Sequence, residues 1–153
     1  MVPPAEAPSP RARGRRYEDV AVSLLRFAGL RVVERNVEAA GAEIDVVAED
    51  RDGTWVFVEV RARAEGRRGR PEETVGPAKR RRIVRGATGY LVAHDLWERV
   101  PVRFDVIAVE GPCPGEGCAL TFTADPDDPT VFASGSADGE GLVVRWYRGA
   151  FEA

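Results

Sequence analysis

The 153 residues are enough for one domain with one hydrophobic core. Charged residues make up 31% and hydrophobic residues 44%, and no apolar run reaches the length of a membrane span. A soluble, cytoplasmic protein without a membrane partner is therefore expected. The Pro- and Arg-rich start lacks the apolar segment of a signal peptide, which predicts a flexible lead-in over residues 1–13 and a single domain over residues 14–153.

The net charge of −3 argues weakly against nucleic acid, but the charges are unevenly distributed. Ten basic residues and three acids lie between Arg61 and Arg85, whereas Asp105 to Glu140 holds eight acids and no Lys or Arg. A long basic segment is what binding to a phosphate backbone requires, although a solvated Arg-rich face has the same composition. The candidate nucleic-acid-binding residues are Arg63, Arg67, Arg68, Arg70, Lys79, Arg80, Arg81 and Arg82.

The predicted elements follow the order α-β-β-β-α-β. The segment RRYEDVAVSLLRFAGL has one apolar side and is predicted to form a helix that stops at Gly29. Strands are predicted over residues 30–35, 43–49 and 54–61, and the last of these is apolar on both faces and should be central. A second helix is predicted in AKRRRIVRGATGYLVAH and a fourth strand over residues 102–109.

Beyond Glu110 the pattern weakens, and residues 111–141 are predicted to be a loop-rich insertion. ALTFTA is compatible with a strand, SGSADGEG is predicted to be mobile, and residues 141–148 fit a last strand. Cys113 and Cys118 have the spacing of half a zinc site or a small disulfide loop, but also of two incidental thiols. The core is expected to contain the aromatic residues Trp55, Phe57, Tyr90 and Trp97.

Two acids on neighbouring strands carry the strongest chemical signal. The turn sequence RDG at residues 51–53 predicts a hairpin, so Asp45 and Glu59 can meet across an antiparallel pair. Both lie among apolar residues, and buried carboxylates need a cation or hydrogen bonds to stay ionised. Converging oxygens suit a hard divalent ion such as magnesium, but the spacing is also explained by a structural salt bridge in which Arg61 and other arginines neutralise the acids. Glu18 could approach as a third acid or remain on the helix surface.

Several ordered segments together resemble the bacterial YraN family. They are GRRYEDVAVSLLRFAGLRVVERN, GAEIDVVAED, WVFVEVRAR, VGPAKRRRIVRGATGYL and VPVRFDVIAV, with a similar ending in RGAFE. Proteins of that family resemble archaeal Holliday junction resolvases and other PD-(D/E)xK nucleases. The resemblance implies an α/β, restriction-endonuclease-like αβββαβ core with a mixed central sheet flanked by helices. It also implies a nucleic-acid partner, with DNA favoured, and allows a homodimer in which Val102, Phe104 or the Trp146–Tyr147 pair is either core or interface.

Carried over by position, the resemblance places Asp45 and Glu59 at the two motif acids, with Glu18 at the helix acid and the carbonyl of Val60 beside the metal, Mg²⁺ or Mn²⁺. Arg61 stands where the motif usually has lysine. An arginine cannot act as a general base, but it can hold a phosphate. The implied function is metal-dependent hydrolysis of phosphodiester bonds. The alternatives are a non-catalytic nucleic-acid-binding module and an interaction scaffold that uses its acidic C-terminal region.

Overall fold

In the computed structural model, one mixed sheet organises the described residues, which are 9–63, 75–113, 120–124, 131–136 and 141–153. The helices are α1 (Pro10–Phe27) and α2 (Pro77–Ala93). The strands are β1 (Arg31–Ala39), β2 (Ala42–Glu49), β3 (Trp55–Arg63), β4 (Val102–Glu110), β5 (Leu120–Ala124), β6 (Val131–Ser136) and β7 (Gly141–Phe151). Within the described residues the sheet has the order β1-β2-β3-β4-β7-β6-β5. The predicted αβββαβ core is confirmed as the first six elements.

Helix α1 begins earlier than the periodicity of its apolar residues predicts. The Ser9 hydroxyl accepts a hydrogen bond of 3.2 Å from the Ala12 N–H, and Pro10 occupies the first turn, where its missing N–H costs nothing. Residues 10–13 are therefore helical and not part of a flexible lead-in, while residues 1–8 lie outside the described part. At the other end, Gly29 has a φ of 91°, in agreement with the predicted stop.

Two hairpins join β1, β2 and β3. The first strand continues to Ala39, beyond the predicted end at residue 35, and the chain turns at Ala40 and Gly41, which both have positive φ. The second hairpin is confirmed: the Asp50 N–H donates to the Thr54 carbonyl at 2.8 Å, and β2 pairs with β3 antiparallel. Its register runs from Val46–Val58 to Glu49–Trp55.

Strand β3 is central, as predicted, because it pairs with β2 on one side and runs parallel to β4 on the other. The parallel pair is linked through α2, since parallel strands need a crossover connection. Residues of α1 and of α2 belong to separate apolar clusters, which pack against opposite faces of the sheet. The two helices therefore cover the two faces and bury β3 on both sides.

The segment predicted to be a loop-rich insertion contributes two strands to the sheet. β5 pairs with β6, and β6 pairs with β7, so the Ser134–Ser136 part of the segment predicted to be mobile is strand. Phe122 of β5 packs against the α1 side of the core, with its ring 5.7 Å from that of Phe27. Residues 137–140 and 114–119, which include Cys118, lie outside the described part, so the two-cysteine alternatives stay predictions.

Most aromatic residues lie where they were expected. Trp55, Phe57 and Tyr90 are buried, but Trp97 is 47% exposed, and its expected place in the core was wrong because it lies in the turns after α2. Phe104 and Trp146 are core residues, whereas Val102 is exposed. None of this tests the expected homodimer. No helix in the described parts of the chain is long and apolar enough to cross a membrane.

Candidate metal centre

Asp45 lies at the point where β2 passes the end of its paired stretch with β3. The pairing begins at Val46–Val58, and one step further along each strand brings Asp45 opposite Glu59. One oxygen of the Asp45 carboxylate, Oδ2, accepts a hydrogen bond of 2.8 Å from the backbone N–H of Val60. The Asp45 side chain thus accepts a hydrogen bond that a backbone carbonyl would accept in a regular strand pair, and this bond directs the side chain towards β3.

Glu59 is the buried member of the pair, with only 6% of its side chain exposed. Its Oε1 atom lies 2.6 Å from the Nζ of Lys79 and 3.7 Å from the Nε of Arg61. The register of β2 and β3 brings Asp45 opposite Glu59, as predicted, and the charge of Glu59 is one cause of the raised pKa of Asp45. Two carboxylates and two cationic side chains therefore form one group at this end of β3.

The electrostatics of the site make the charged form of Asp45 costly. Burial is the largest cause and the neighbouring charge of Glu59 is the second, and they raise the pKa of Asp45 from 3.8 to about 7. The hydrogen bond from Val60 opposes this shift. A cation that binds the oxygens of this carboxylate would displace the proton to solvent and favour the charged form again.

Glu18 approaches the same region from α1. Its side chain is 15% exposed, so the alternative of a solvated surface glutamate was wrong. Burial raises the pKa of Glu18, while a hydrogen bond with Asn36 and the charge of Arg35 oppose that rise. Its Oε2 atom is 3.8 Å from Arg35 and has no hydrogen-bond partner within the described residues. The charge of Glu18 also raises the pKa of Asp45, which places the two acids near each other.

The side chains of this site can supply two carboxylate ligands to a hard divalent ion, but they do not form a complete coordination shell. In the described part of the chain, no three His, Cys, Asp or Glu side chains are gathered closely enough to hold a metal. Asp45 and Glu59 are the pair that could, and a magnesium site commonly uses one or two carboxylates with water and substrate oxygens. Glu18 is not close enough to complete such a group, although its Oε2 atom is a buried acceptor without a hydrogen-bond partner among the described residues. The residues therefore fit Mg²⁺ or Mn²⁺.

The sequence comparisons identify the family. The sequence model described as "Uncharacterised protein family UPF0102" matches residues 17–109. The chain belongs to this family. A UPF0102 protein of Burkholderia pseudomallei (strain 1710b) is 46% identical over 112 residues, which cover 71% of this chain and 74% of that protein. Another, from Methylibium petroleiphilum, is 49% identical over 100 residues, which cover 61% and 80%. The resemblance to the YraN family is thereby confirmed.

The region that matches the UPF0102 family begins within α1 and ends within β4, and it includes every acid of the candidate site. It ends at residue 109, just before the predicted insertion begins. The added strands β5 and β6 lie at the far edge of the sheet, separated from β3 by β4 and β7. The site and the extension of this UPF0102 protein are therefore structurally separate.

The basic residues predicted to bind nucleic acid divide into distinct groups. Arg81 and Arg82 on the first turns of α2 are exposed, whereas Arg80 donates from Nε to the carbonyl of Val75 at 2.7 Å. The remaining predicted positions lie outside what the structure describes: the side chain of Arg63 and the residues Arg67, Arg68 and Arg70. The exposed pair is thus the described part of the predicted basic surface.

The exposed side chains of Arg11 and Arg15 form a second basic wall, on α1, in addition to the wall formed by Arg81 and Arg82 on α2. A cleft of about 650 Å³ separates α1 from β1 and β2, and its charged lining residues are Arg11 and Arg15 together with Glu18, Glu38 and Glu43. Glu43 also lines a smaller cleft of about 180 Å³ with Lys79 and Arg82 of α2. The two clefts therefore adjoin at the start of β2. Arg11 and Arg15 are four residues apart and therefore share one side of a helix. The α1 wall could have been predicted from this spacing if the predicted helix had been extended back to Ser9 and Pro10.

Lys79 is the site residue whose contact with an acid of the site was not anticipated from the sequence. It was grouped with the phosphate-binding arginines, but its ammonium group contacts Glu59. One signal was present: Lys79 is the single lysine in a chain with 22 Lys and Arg residues. The contact itself joins residues 20 positions apart in sequence, so only the packing of α2 against the sheet reveals it.

Proposed function

We propose that this chain is a metal-dependent nuclease that hydrolyses phosphodiester bonds. The observation that carries the proposal is the convergence of Asp45 and Glu59, with the pKa of Asp45 raised to about 7. A purely structural pair of acids would gain nothing from facing each other with so little solvent. Perturbed carboxyl groups in a cleft are typical of functional sites.

Asp45 and Glu59 would hold Mg²⁺ or Mn²⁺ with their carboxylate oxygens, and the carbonyl of Val60 and the carboxylate of Glu18 are additional ligands in the proposal. When bound, such an ion supplies polarisation of the phosphodiester and activation of water. The hydrogen bond from Val60 to Asp45 fixes the direction of that carboxylate in advance. Fixing a ligand before the metal binds lowers the cost of forming the site.

Arg61 would hold the phosphate group. Its guanidinium group lies 3.7 Å from Glu59 and is partly exposed, so it can reach a ligand on the open side of the site. Arginine keeps its charge at all relevant pH values and presents several donors to phosphate oxygens. Its role in the proposal is orientation and charge stabilisation and does not include accepting a proton.

The basic walls support nucleic acid as the substrate. Arg11 and Arg15 line the cleft on the α1 side, and Arg82 lines the cleft on the α2 side, with Glu43 common to both. A phosphate backbone that crosses the start of β2 would pass between these positive side chains and over the acids. Contacts of this kind position the backbone without reading its sequence. The resemblance to resolvases favours DNA and allows a homodimer, and the composition of the chain favours action in the cytoplasm.

A specific observation favours a non-catalytic nucleic-acid-binding module as the second candidate. Lys79 and Arg61 both lie beside Glu59, so its charge is compensated by side chains of the chain itself. In this second candidate function, the two acids and the two cationic side chains beside Glu59 form a structural charge network. The basic walls then bind nucleic acid without cutting it. Metal binding separates the two functions.

Calorimetric titration of Mg²⁺ and Mn²⁺ into wild type and Asp45→Ala tests the proposal, with cleavage of branched DNA, linear DNA and RNA measured in parallel. Asp95→Asn is the matched control, because the Asp95 side chain is 83% exposed and lies beyond the far end of α2. We expect binding and metal-dependent cleavage in wild type and Asp95→Asn, and neither in Asp45→Ala. A wild type that binds no metal would favour the non-catalytic module.

A further inference from the structure

The packing of α2 directs Lys79 towards the sheet. Ile83, one turn after Lys79, is buried in the cluster on the α2 side, and Gly86 follows on the same side of the helix. A Cβ at Gly86 would lie 3.0 Å from the Cβ of Ala42 and 3.2 Å from the carbonyl oxygen of Ala39. The helix backbone therefore lies close against the β1–β2 hairpin, and the position of Lys79 above Glu59 is fixed by this contact.

The ammonium group of Lys79 touches a buried carboxylate and also faces solvent. Its Nζ is 2.6 Å from Oε1 of Glu59, whereas the Nε of Arg61 is 3.7 Å from the same oxygen. The Lys79 side chain is 36% exposed, whereas that of Glu59 is 6% exposed. An ammonium group in this position can contact a ligand that approaches Glu59 from the open side.

Composition argues that a lysine at this position is not arbitrary. The chain contains 22 Lys and Arg residues, and Lys79 is the single lysine among them. The three residues that follow it are arginines, and Arg61 stands at the strand position beside Glu59. A compact ammonium group fits between a carboxylate and a second anion, whereas a planar guanidinium group needs more room.

Resting on the proposed function, we propose that Lys79 is a catalytic residue that donates hydrogen bonds to the phosphodiester at the metal centre. In the reaction, the oxygen of water forms a bond to phosphorus and the bond from phosphorus to the leaving oxygen breaks. One proton of the water reaches the leaving oxygen through solvent, and the other is released to solvent. Lys79 keeps its protons throughout and stabilises the negative charge on the non-bridging oxygens.

The test compares wild type with Lys79→Met, Lys79→Arg and the control Arg99→Met, whose side chain is 66% exposed and lies beyond the end of α2. The first readout is Mn²⁺ affinity by calorimetry. Lys79→Met removes a positive charge beside Glu59, so we expect Mn²⁺ to bind about tenfold more tightly. Lys79→Arg keeps the charge and should bind Mn²⁺ like wild type, as should Arg99→Met.

The second readout is cleavage of DNA at saturating Mn²⁺. Lys79→Met should cleave about a hundredfold more slowly despite its tighter metal, and Lys79→Arg should fall between it and wild type. Arg99→Met should cleave like wild type. Circular dichroism and thermal unfolding establish whether each variant is folded. If Lys79→Met does not fold, the cleavage rate of Lys79→Arg relative to wild type provides the test.

The outcomes distinguish this inference from the proposed function. Cleavage at the wild-type rate by Lys79→Met overturns the inference and leaves the nuclease proposal intact. Unchanged Mn²⁺ affinity in Lys79→Met also overturns it, since the ammonium group would then not share Glu59 with the metal. A wild type that neither binds Mn²⁺ nor cleaves overturns both. Tighter Mn²⁺ together with slower cleavage supports the inference.

Discussion

The carboxylate of Asp45 accepts a hydrogen bond from the Val60 N–H across the β2–β3 pair, at 2.8 Å, while facing the charge of Glu59. One interaction stabilises the charged carboxylate and the other destabilises it, and burial decides the balance in favour of the protonated form. The stability of the metal-free protein should therefore depend on pH in a direction that Asp45 determines.

We expect the metal-free protein to lose stability as pH rises between about 3.8, the ordinary pKa, and about 7, the raised one. Over that range the folded state binds more protons than the unfolded state, and the difference disappears above the folded pKa. Denaturant unfolding with EDTA between pH 5 and pH 8 measures the effect. Asp45→Asn should lack this component of the slope and be more stable than wild type at pH 8. Parallel profiles for the two proteins would contradict the prediction.

Asp105 should be essential for stability although it lies outside the metal centre. It is completely buried, and it accepts hydrogen bonds from the guanidinium of Arg103, the indole of Trp146 and the Gly149 N–H. Asp105→Ala should lower the free energy of unfolding by about 3–5 kcal/mol, because it leaves the buried indole N–H of Trp146 unpaired and leaves Arg103 with Asp50 alone. Urea unfolding measures this, with Asp95→Asn as the exposed control, because asparagine tolerates the positive φ of that position. A loss below about 1 kcal/mol would show that the network is replaceable.

Gly14→Ala should stabilise the protein by about 0.5–1 kcal/mol, because alanine is favoured over glycine inside a helix. A Cβ at Gly14 would have no atom within 4 Å outside its own helix, so no packing cost opposes the gain. Thermal unfolding is the measurement. An unchanged melting temperature would indicate that the first turns of α1, where Gly14 lies, are not stably helical in solution.

Arg82→Gln should weaken DNA binding mainly by removing a phosphate contact. Arg82 is exposed and lines the cleft with Lys79 and Glu43. The slope of log affinity against log salt concentration should fall in magnitude by about 1, independent of DNA sequence. Fluorescence anisotropy at several salt concentrations measures the slope, with Arg99→Gln as the control. Equal slopes for Arg82→Gln and wild type would remove Arg82 from the binding surface.

Local patterns in the sequence account for much of the fold and for the acidic pair. The RDG turn fixes the hairpin, and the period of two along each strand brings Asp45 opposite Glu59, so their meeting could be predicted. The start of α1 was also encoded locally, in the Ser9 cap and Pro10, but these lie outside the apolar periodicity that defined the helix.

Features that depend on distant contacts could not be predicted in this way. The segment VFASGS has little strand character, and β6 forms because β5 and β7 pair with it on both sides. The exposure of Trp97 follows from its position in the turns after α2. The contact of Lys79 with Glu59 requires the close approach of α2 at Gly86, which no short-range pattern contains.

The lone lysine beside Glu59 also gives the protein a built-in spectroscopic label. Reductive methylation with ¹³C-formaldehyde modifies amino groups and keeps their charge, so it would introduce only two kinds of resonance, from Lys79 and from the chain's α-amino group. The Lys79 methyl groups would then lie next to the acidic pair. Their chemical shift would follow cations and phosphate compounds arriving at that end of β3 without any further substitution in the chain.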